Sequence, residues 1–197
     1  MKGFTFQEGE LPMDNGASSY RRFLDGDDNG LVEIIKDYKD GLILYLCSFT
    51  DSILTAEEIM EETFVKIAVK KPRFSGKSSF KSWLYAIGRN TAIDHMRRKN
   101  RHMYENIEDY SAFAAEEAEF EKRFLIEERK IRLHSAMKTL KAEHRQVLWL
   151  VYYEDFSVSQ AANIMSKSKH ATENLLYRAR QSLKAKLEKE GFVYEEL

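Results

Sequence analysis

Between Lys66 and Arg101 the chain carries eleven lysines and arginines against one acidic residue, Asp94. Phe74, Phe80, Trp83 and Tyr85 lie in the same interval, around a short polar turn, Ser75–Gly76–Lys77–Ser78. Cations beside aromatic rings suit the holding of a nucleic-acid strand, since the charges neutralise phosphates while the rings stack on bases. A solvated basic helix packed by its aromatic side has the same composition, so both readings stand at this point. A second group, Lys169, His170, Glu173, Asn174, Tyr177 and Arg178, presents side chains that reach base edges and phosphates in a major groove. Ordinary helical hairpins share that pattern. A third, Glu57, Glu58, Glu61 and Glu62, places four carboxylates in six positions. That is more than is needed to complement the positive end of a helix dipole, so a partner-binding face stands beside the capping explanation.

These residues require particular elements to position them. Phe80, Leu84, Ile87 and Thr91 recur at helical steps, which predicts a helix that starts after the Phe74–Ser79 connection and ends in Arg97–Arg98–Lys99. Trp83 borders its apolar face. Upstream, two helices are expected between Tyr20 and Phe49, parted by the turn-forming Asp25–Asn29 stretch. Leu31, Ile34, Ile35, Tyr38, Leu42 and Leu46 line the second, and Gly41 is its weak point. The acidic helix is expected from about Thr55 to Lys70, with Ala56, Met60, Thr63, Phe64 and Ile67 facing inward and Pro72 ending it. Downstream, Ser157 and Gln160 have capping-box spacing at the start of a short helix that runs to Met165. Ser166–Lys167–Ser168 forms a compact connection to a helix from about Lys169 to Lys189, which buries Thr172, Leu176, Ala179, Leu183 and Leu187. A short helix, a tight turn and a longer helix with a polar outer side meet the requirements of a helix-turn-helix.

Composition bounds the rest. Of 197 residues, 43% are hydrophobic and 32% charged, with two prolines and nine glycines, which indicates a folded, all-α chain. No apolar run approaches the roughly 18 residues of a membrane span. The N-terminus lacks a signal-peptide pattern, and Cys47 is the single cysteine, so a cytoplasmic protein with a buried thiol is the simplest account. The net charge of −1 conceals segregation: residues 51–65 and 105–121 are acidic without a lysine or arginine, and the basic segment lies between them. We expect two small helical domains joined by a flexible linker: a loose arm at 1–18, a first domain at 19–102, an acidic linker at 103–122 and a helix-turn-helix domain at 123–197. The tether is expected near His102–Ala112, with a helix resuming over Phe113–Arg129. There is no Walker-type phosphate loop or nucleophile–base constellation, and His95, His102, His134, His144 and His170 are dispersed. No catalytic residue, metal or cofactor is expected.

Two separated signatures point further. AEEIMEETFVKI at 56–67 is followed by FSGKSSFKSWLYAIGRNTAIDHMRR at 74–98; MKTLKAEHRQVLWLVYYEDFSVSQAANIM at 137–165 is followed by ATENLLYRARQSLKAKL at 171–187. Together they resemble the extracytoplasmic-function sigma factors of the bacterial sigma-70 family. The resemblance implies a region 2 domain that recognises and opens the −10 promoter element and a region 4 domain that recognises the −35 element. It implies core RNA polymerase and promoter DNA as partners, with an anti-sigma protein a further candidate, and a non-catalytic role in initiation. By the same resemblance Glu57, Glu58, Glu61 and Glu62 fall on the helix that docks on polymerase. Phe74, Ser75, Gly76, Lys77 and Ser78 fall on the loop that captures an unstacked base, and Asn90, Arg97, Arg98 and Lys99 on the −10 grip. Asp94 is expected to orient a neighbouring cation. Lys169, His170, Glu173, Asn174, Tyr177 and Arg178 fall at the −35 groove, while Arg180 is left between a phosphate and an intradomain partner. The chain departs from the family pattern at Lys141, at Gln160 and in the turn after Met165, where many relatives have proline, an acidic residue and glycine. The last departure implies slightly different bracing or a non-glycine cap, and it bears on the −35 contacts more than on the fold. A stand-alone helix-turn-helix regulator is the alternative; it leaves the 56–98 signature without a role.

Overall fold

The computed structural model describes residues 15–50, 52–105 and 136–189. All regular elements among them are helices: α1 (Asn15–Leu24), α2 (Asn29–Leu46), α3 (Ile53–Lys70), α4 (Phe80–Glu105), α5 (Ala142–Tyr152), α6 (Val158–Met165) and α7 (Lys169–Lys189). α1 starts inside the stretch expected to be a loose arm. α4 runs on to Glu105, so residues 102–105 are helical where a tether was expected. The remainder of that tether, and the helix expected at Phe113–Arg129, lie outside the described residues.

Helices α1–α4 form the first module, with α2 packed against α1, α3 and α4. Ile34, Leu42, Leu46, Ile59, Ile67, Phe80 and Leu84 are fully buried at its centre. Ile59 is a fully buried member of the α3 stripe beyond those expected from the sequence. Helix α3 opens on Ser52, whose hydroxyl accepts from the Thr55 amide. It closes on Lys71 in the left-handed conformation (φ 41°), and Pro72 prevents continuation. Gly41 does not interrupt α2.

In the second module α5 and α6 pack on α7. The Ser157–Gln160 capping box is complete: the Ser157 amide donates to the Gln160 side chain (2.9 Å) and the Gln160 amide to the Ser157 hydroxyl (3.3 Å). The turn after α6 is made without glycine, Ser166 taking a left-handed φ of 54°. Ser168 then accepts from the Ala171 amide at the start of α7. The two modules touch directly, α6 lying across α4, and their buried apolar residues form one continuous cluster.

A candidate nucleic-acid interface and polymerase-facing helix

The connection from α3 to α4 is fixed at its ends and open in its middle. Phe74 packs against Phe80 and Trp83, with ring centroids 5.6 and 5.4 Å apart. Tyr20 on α1 lies against the same Trp83 (5.1 Å), and its hydroxyl donates to the Pro72 carbonyl at 2.7 Å. Ser79 caps α4 by accepting from the Ser82 amide. Between these anchors Ser75, Gly76 and Lys77 are exposed, and Gly76 has a φ of +70°, a region L side chains rarely adopt. Phe74 is therefore the loop's inner anchor, while Ser75–Ser78 form its accessible crest. Trp83 belongs to the aromatic cluster. Tyr85 is 1% exposed, so it offers no face to a strand.

Along α4, Asn90, Arg97, Arg98 and Lys99 are exposed, and Asp94 lies 3.9 Å from Arg97. Arg98 is engaged differently. Its guanidinium lies 2.6 Å from Glu62 on α3, which also receives Lys66 at 3.1 Å and faces His95 at 3.7 Å. Burial pushes the Glu62 carboxyl up, but hydrogen bonds from Arg98 and Lys66 outweigh it and hold it below the ordinary carboxylate range. The structure thus joins a residue expected at the polymerase surface to one expected on DNA.

On the outer side of α3, Glu58 and Glu61 are exposed and Glu57 is half-buried. Val65 and Val69, 58% and 77% exposed, continue the same strip. Neither was singled out from the sequence, although their spacing from Glu61 continues its helical face. An apolar strip bordered by acids suits a partner with apolar and basic groups.

On α7, Lys169, His170, Glu173, Asn174, Tyr177 and Arg178 are all exposed along one side of the helix. They form a local lattice: Lys169 lies 3.8 Å from Glu173, Asn174 Nδ2 is 3.1 Å from His170 Nε2, and Arg178 donates to the Asn174 carbonyl. Thr172, Leu175, Leu176 and Ala179 are buried on the opposite side. Arg180 lies over the Tyr152 ring, 5.4 Å from its centroid, an intradomain contact. Among the described residues no cluster of three or more His, Cys, Asp or Glu could hold a metal ion, and no helix is long and apolar enough to cross a membrane.

Comparison with known proteins accounts for both modules. The Sigma-70 region 2 family matches residues 34–102, and the Sigma-70, region 4 family matches residues 130–183. The chain is 26% identical over 162 residues to RNA polymerase sigma factor YlaC of Bacillus subtilis, covering 82% of this chain and 94% of that protein. It is 28% identical over 153 residues to ECF RNA polymerase sigma factor SigM of the same organism, covering 78% and 92%. Among solved structures, the sigma factor RpoE in complex with the anti-sigma factor NepR from Bartonella quintana superposes with a TM-score of 0.63 at 22% identity, covering 79% of this chain and 95% of that one. CnrH in complex with the cytosolic domain of CnrY gives 0.62 at 21%, covering 89% and 96%. A stand-alone regulator would leave the first of the two matched modules unexplained. With regions 2 and 4 both present, in order, on two helical modules, the chain belongs to the sigma-70 family as an extracytoplasmic-function sigma factor, a non-catalytic subunit that directs RNA polymerase to promoters.

Proposed function

We propose that α3 docks on core RNA polymerase through Glu57, Glu58 and Glu61 together with Val65 and Val69, and that Glu62 serves mainly inside region 2. The crest Ser75–Gly76–Lys77–Ser78, seated on Phe74, captures a base flipped from the −10 element. Asn90, Arg97 and Lys99 grip the adjoining backbone, joined by Arg98 once Glu62 releases it. Capture needs no nucleotide hydrolysis. Unstacking a base costs a few kcal/mol, which contacts to the opened strand and the polymerase offset. In region 4, Lys169, His170, Glu173, Asn174, Tyr177 and Arg178 enter the major groove of the −35 element. Glu173 is suited to accept from a cytosine amino group.

One observation carries this reading: the crest at 75–77 and the polar side of α7 are both exposed, each backed by a buried aromatic or aliphatic face that fixes it. The partners are core polymerase and promoter DNA. The solved relatives in complex with anti-sigma proteins make such a regulator a further partner to seek. The test is transcription reconstituted from the full chain, core enzyme and a genomic promoter library. Enrichment of start sites sharing two spaced elements is expected; initiation no better than core enzyme alone would refute it.

A further inference from the structure

Beyond the groove-facing residues of α7, the second module carries an apolar cleft of about 560 Å³ between α5 and the later half of α7. Met137, Tyr152, Tyr153 and Leu183 wall it, and Arg180 and Lys184 stand among them. Tyr152 and Tyr153 are 51% and 47% exposed, two large rings open to water at neighbouring positions. Tyr153 is braced from behind by Trp149, whose ring stacks on it at 4.2 Å with an interplanar angle of 5°. Arg180 lies over Tyr152, and among the described residues it pairs with no carboxylate. Lys184 meets Glu188 at 3.8 Å, an exposed pair of the kind that contributes little. An apolar hollow rimmed by two weakly neutralised cations suits an occupant that is both aromatic and acidic.

The chain itself supplies such a segment. α7 ends at Lys189, and the sequence continues Glu190–Gly191–Phe192–Val193–Tyr194–Glu195–Glu196–Leu197, in which every charged side chain is acidic. Gly191 stands where helices reverse direction through a left-handed residue, a turn frequently closed by an apolar contact between the next residue and the one five earlier. Here that pair is Phe192 and Leu187, and Leu187 lies on the buried side of α7. Such a reversal sends the chain back along α7 toward Leu183. Arg180 stands about 14 Å before Lys189 at 1.5 Å per residue, and the residues from Gly191 to Glu196 reach about 17 Å when extended. Phe192, Tyr194 and Glu196 then share one face of the segment. The stretch leading into Met137 is a poor rival, because Arg129, Lys130 and Arg132 bring more positive charge to a cleft that already holds two cations.

We propose that the Phe192–Glu196 segment occupies this cleft in the same molecule. Phe192 and Tyr194 pack on Leu183 and the tyrosine pair, Glu196 meets Arg180, and Glu195 meets Lys184. The outer side of α7 stays open to DNA in this arrangement, so tail docking stands apart from groove reading. A separate polypeptide that needs the cleft competes with a tethered segment at an effective concentration of order millimolar. The tail therefore screens out weak partners of region 4.

Methyl NMR on the full chain tests this, with circular dichroism as the fold control. Cross-relaxation between the Phe192 and Tyr194 ring protons and the Met137 and Leu183 methyl groups is expected, unchanged on dilution. Phe192→Ser and Arg180→Glu should each abolish the Tyr194 contacts, and Glu196→Lys combined with Arg180→Glu should restore them. Gly191→Ala should lower the docked-to-free ratio about five-fold or more, because alanine is strained in the left-handed conformation that glycine adopts freely. No such cross-relaxation in a folded chain would overturn the proposal. So would contacts that fade on dilution and appear between differently labelled molecules, which assign the cleft to a second copy. Contacts from the Phe120 or Phe124 ring in place of the tail would overturn it equally, as would a folded charge exchange that restores nothing.

Discussion

Replacing Tyr20 by phenylalanine removes one oxygen and isolates one physical link, that between α1 and the base-capture crest. Tyr20 is 1% exposed, and its hydroxyl donates to the Pro72 carbonyl at 2.7 Å. Its ring contacts with Phe23, Phe80 and Trp83, at 6.3, 5.6 and 5.1 Å, survive the substitution. The loss is then the net worth of one hydrogen bond plus a carbonyl left unpaired, about 1 kcal/mol. For a domain of 60–100 residues this lowers the melting temperature by about 4–8 °C. If the same energy is what holds Pro72–Phe74 in register, the capture-competent fraction and the opening equilibrium fall about five-fold. Core-polymerase affinity should not change, because the outer side of α3 is untouched. Thermal melting, permanganate footprinting of the opened promoter and direct core-binding measurements read the three quantities separately. Undiminished opening in a destabilised variant would refute the link between Tyr20 and the crest. An equal fall in core affinity would show that the variant had damaged region 2 as a whole.

Three further outcomes follow from the charge pairs and caps. Arg97→Gln should lower the salt slope of −10 duplex binding by about 0.9, and Arg98→Gln by less, because Arg98 is tied to Glu62; equal reductions would mean that the pair does not form in solution. The Glu62 carboxyl is held below its unfolded value, so its contribution is fully present above that value and is lost as pH falls through the lowered folded one. Glu62→Gln should therefore flatten the acid limb of the stability profile, and an unaltered limb in an acid titration followed by circular dichroism counts against the network. Ser157→Ala should cost region 4 about 1 kcal/mol, seen as an earlier urea midpoint; no shift would mean the capping box contributes nothing.

What the sequence disclosed is what repeats at short range. The α7 stripe Thr172, Leu176, Ala179, Leu183 and Leu187 and the Ser157–Gln160 cap are local patterns, set by helical period and by bonds across three residues. The absence of glycine after Met165 left different bracing or another cap open, and Ser166 provides a cap. What stayed hidden joins distant positions. Glu62 and Arg98 stand 36 residues apart and Tyr85 and Glu154 stand 69 apart. No periodicity relates them, because such pairs depend on where two helices cross. Tyr85 read as an aromatic beside a basic cluster; only the arrival of α6 over α4 shows it turned inward. The hydrophobic half of the α3 strip was legible but unread: Val65 and Val69 lie in phase with Glu61 and Glu62.

Cys47 sits at the end of α2, and burial pushes its thiol up to about 12. A rise of that size leaves about a thousand times less of the nucleophilic form at neutral pH than an ordinary cysteine has. Peroxide or disulfide stress therefore finds almost nothing to oxidise in the chain's single sulfhydryl. A transcriptional response to oxidants that runs through this protein must take its chemistry from another molecule.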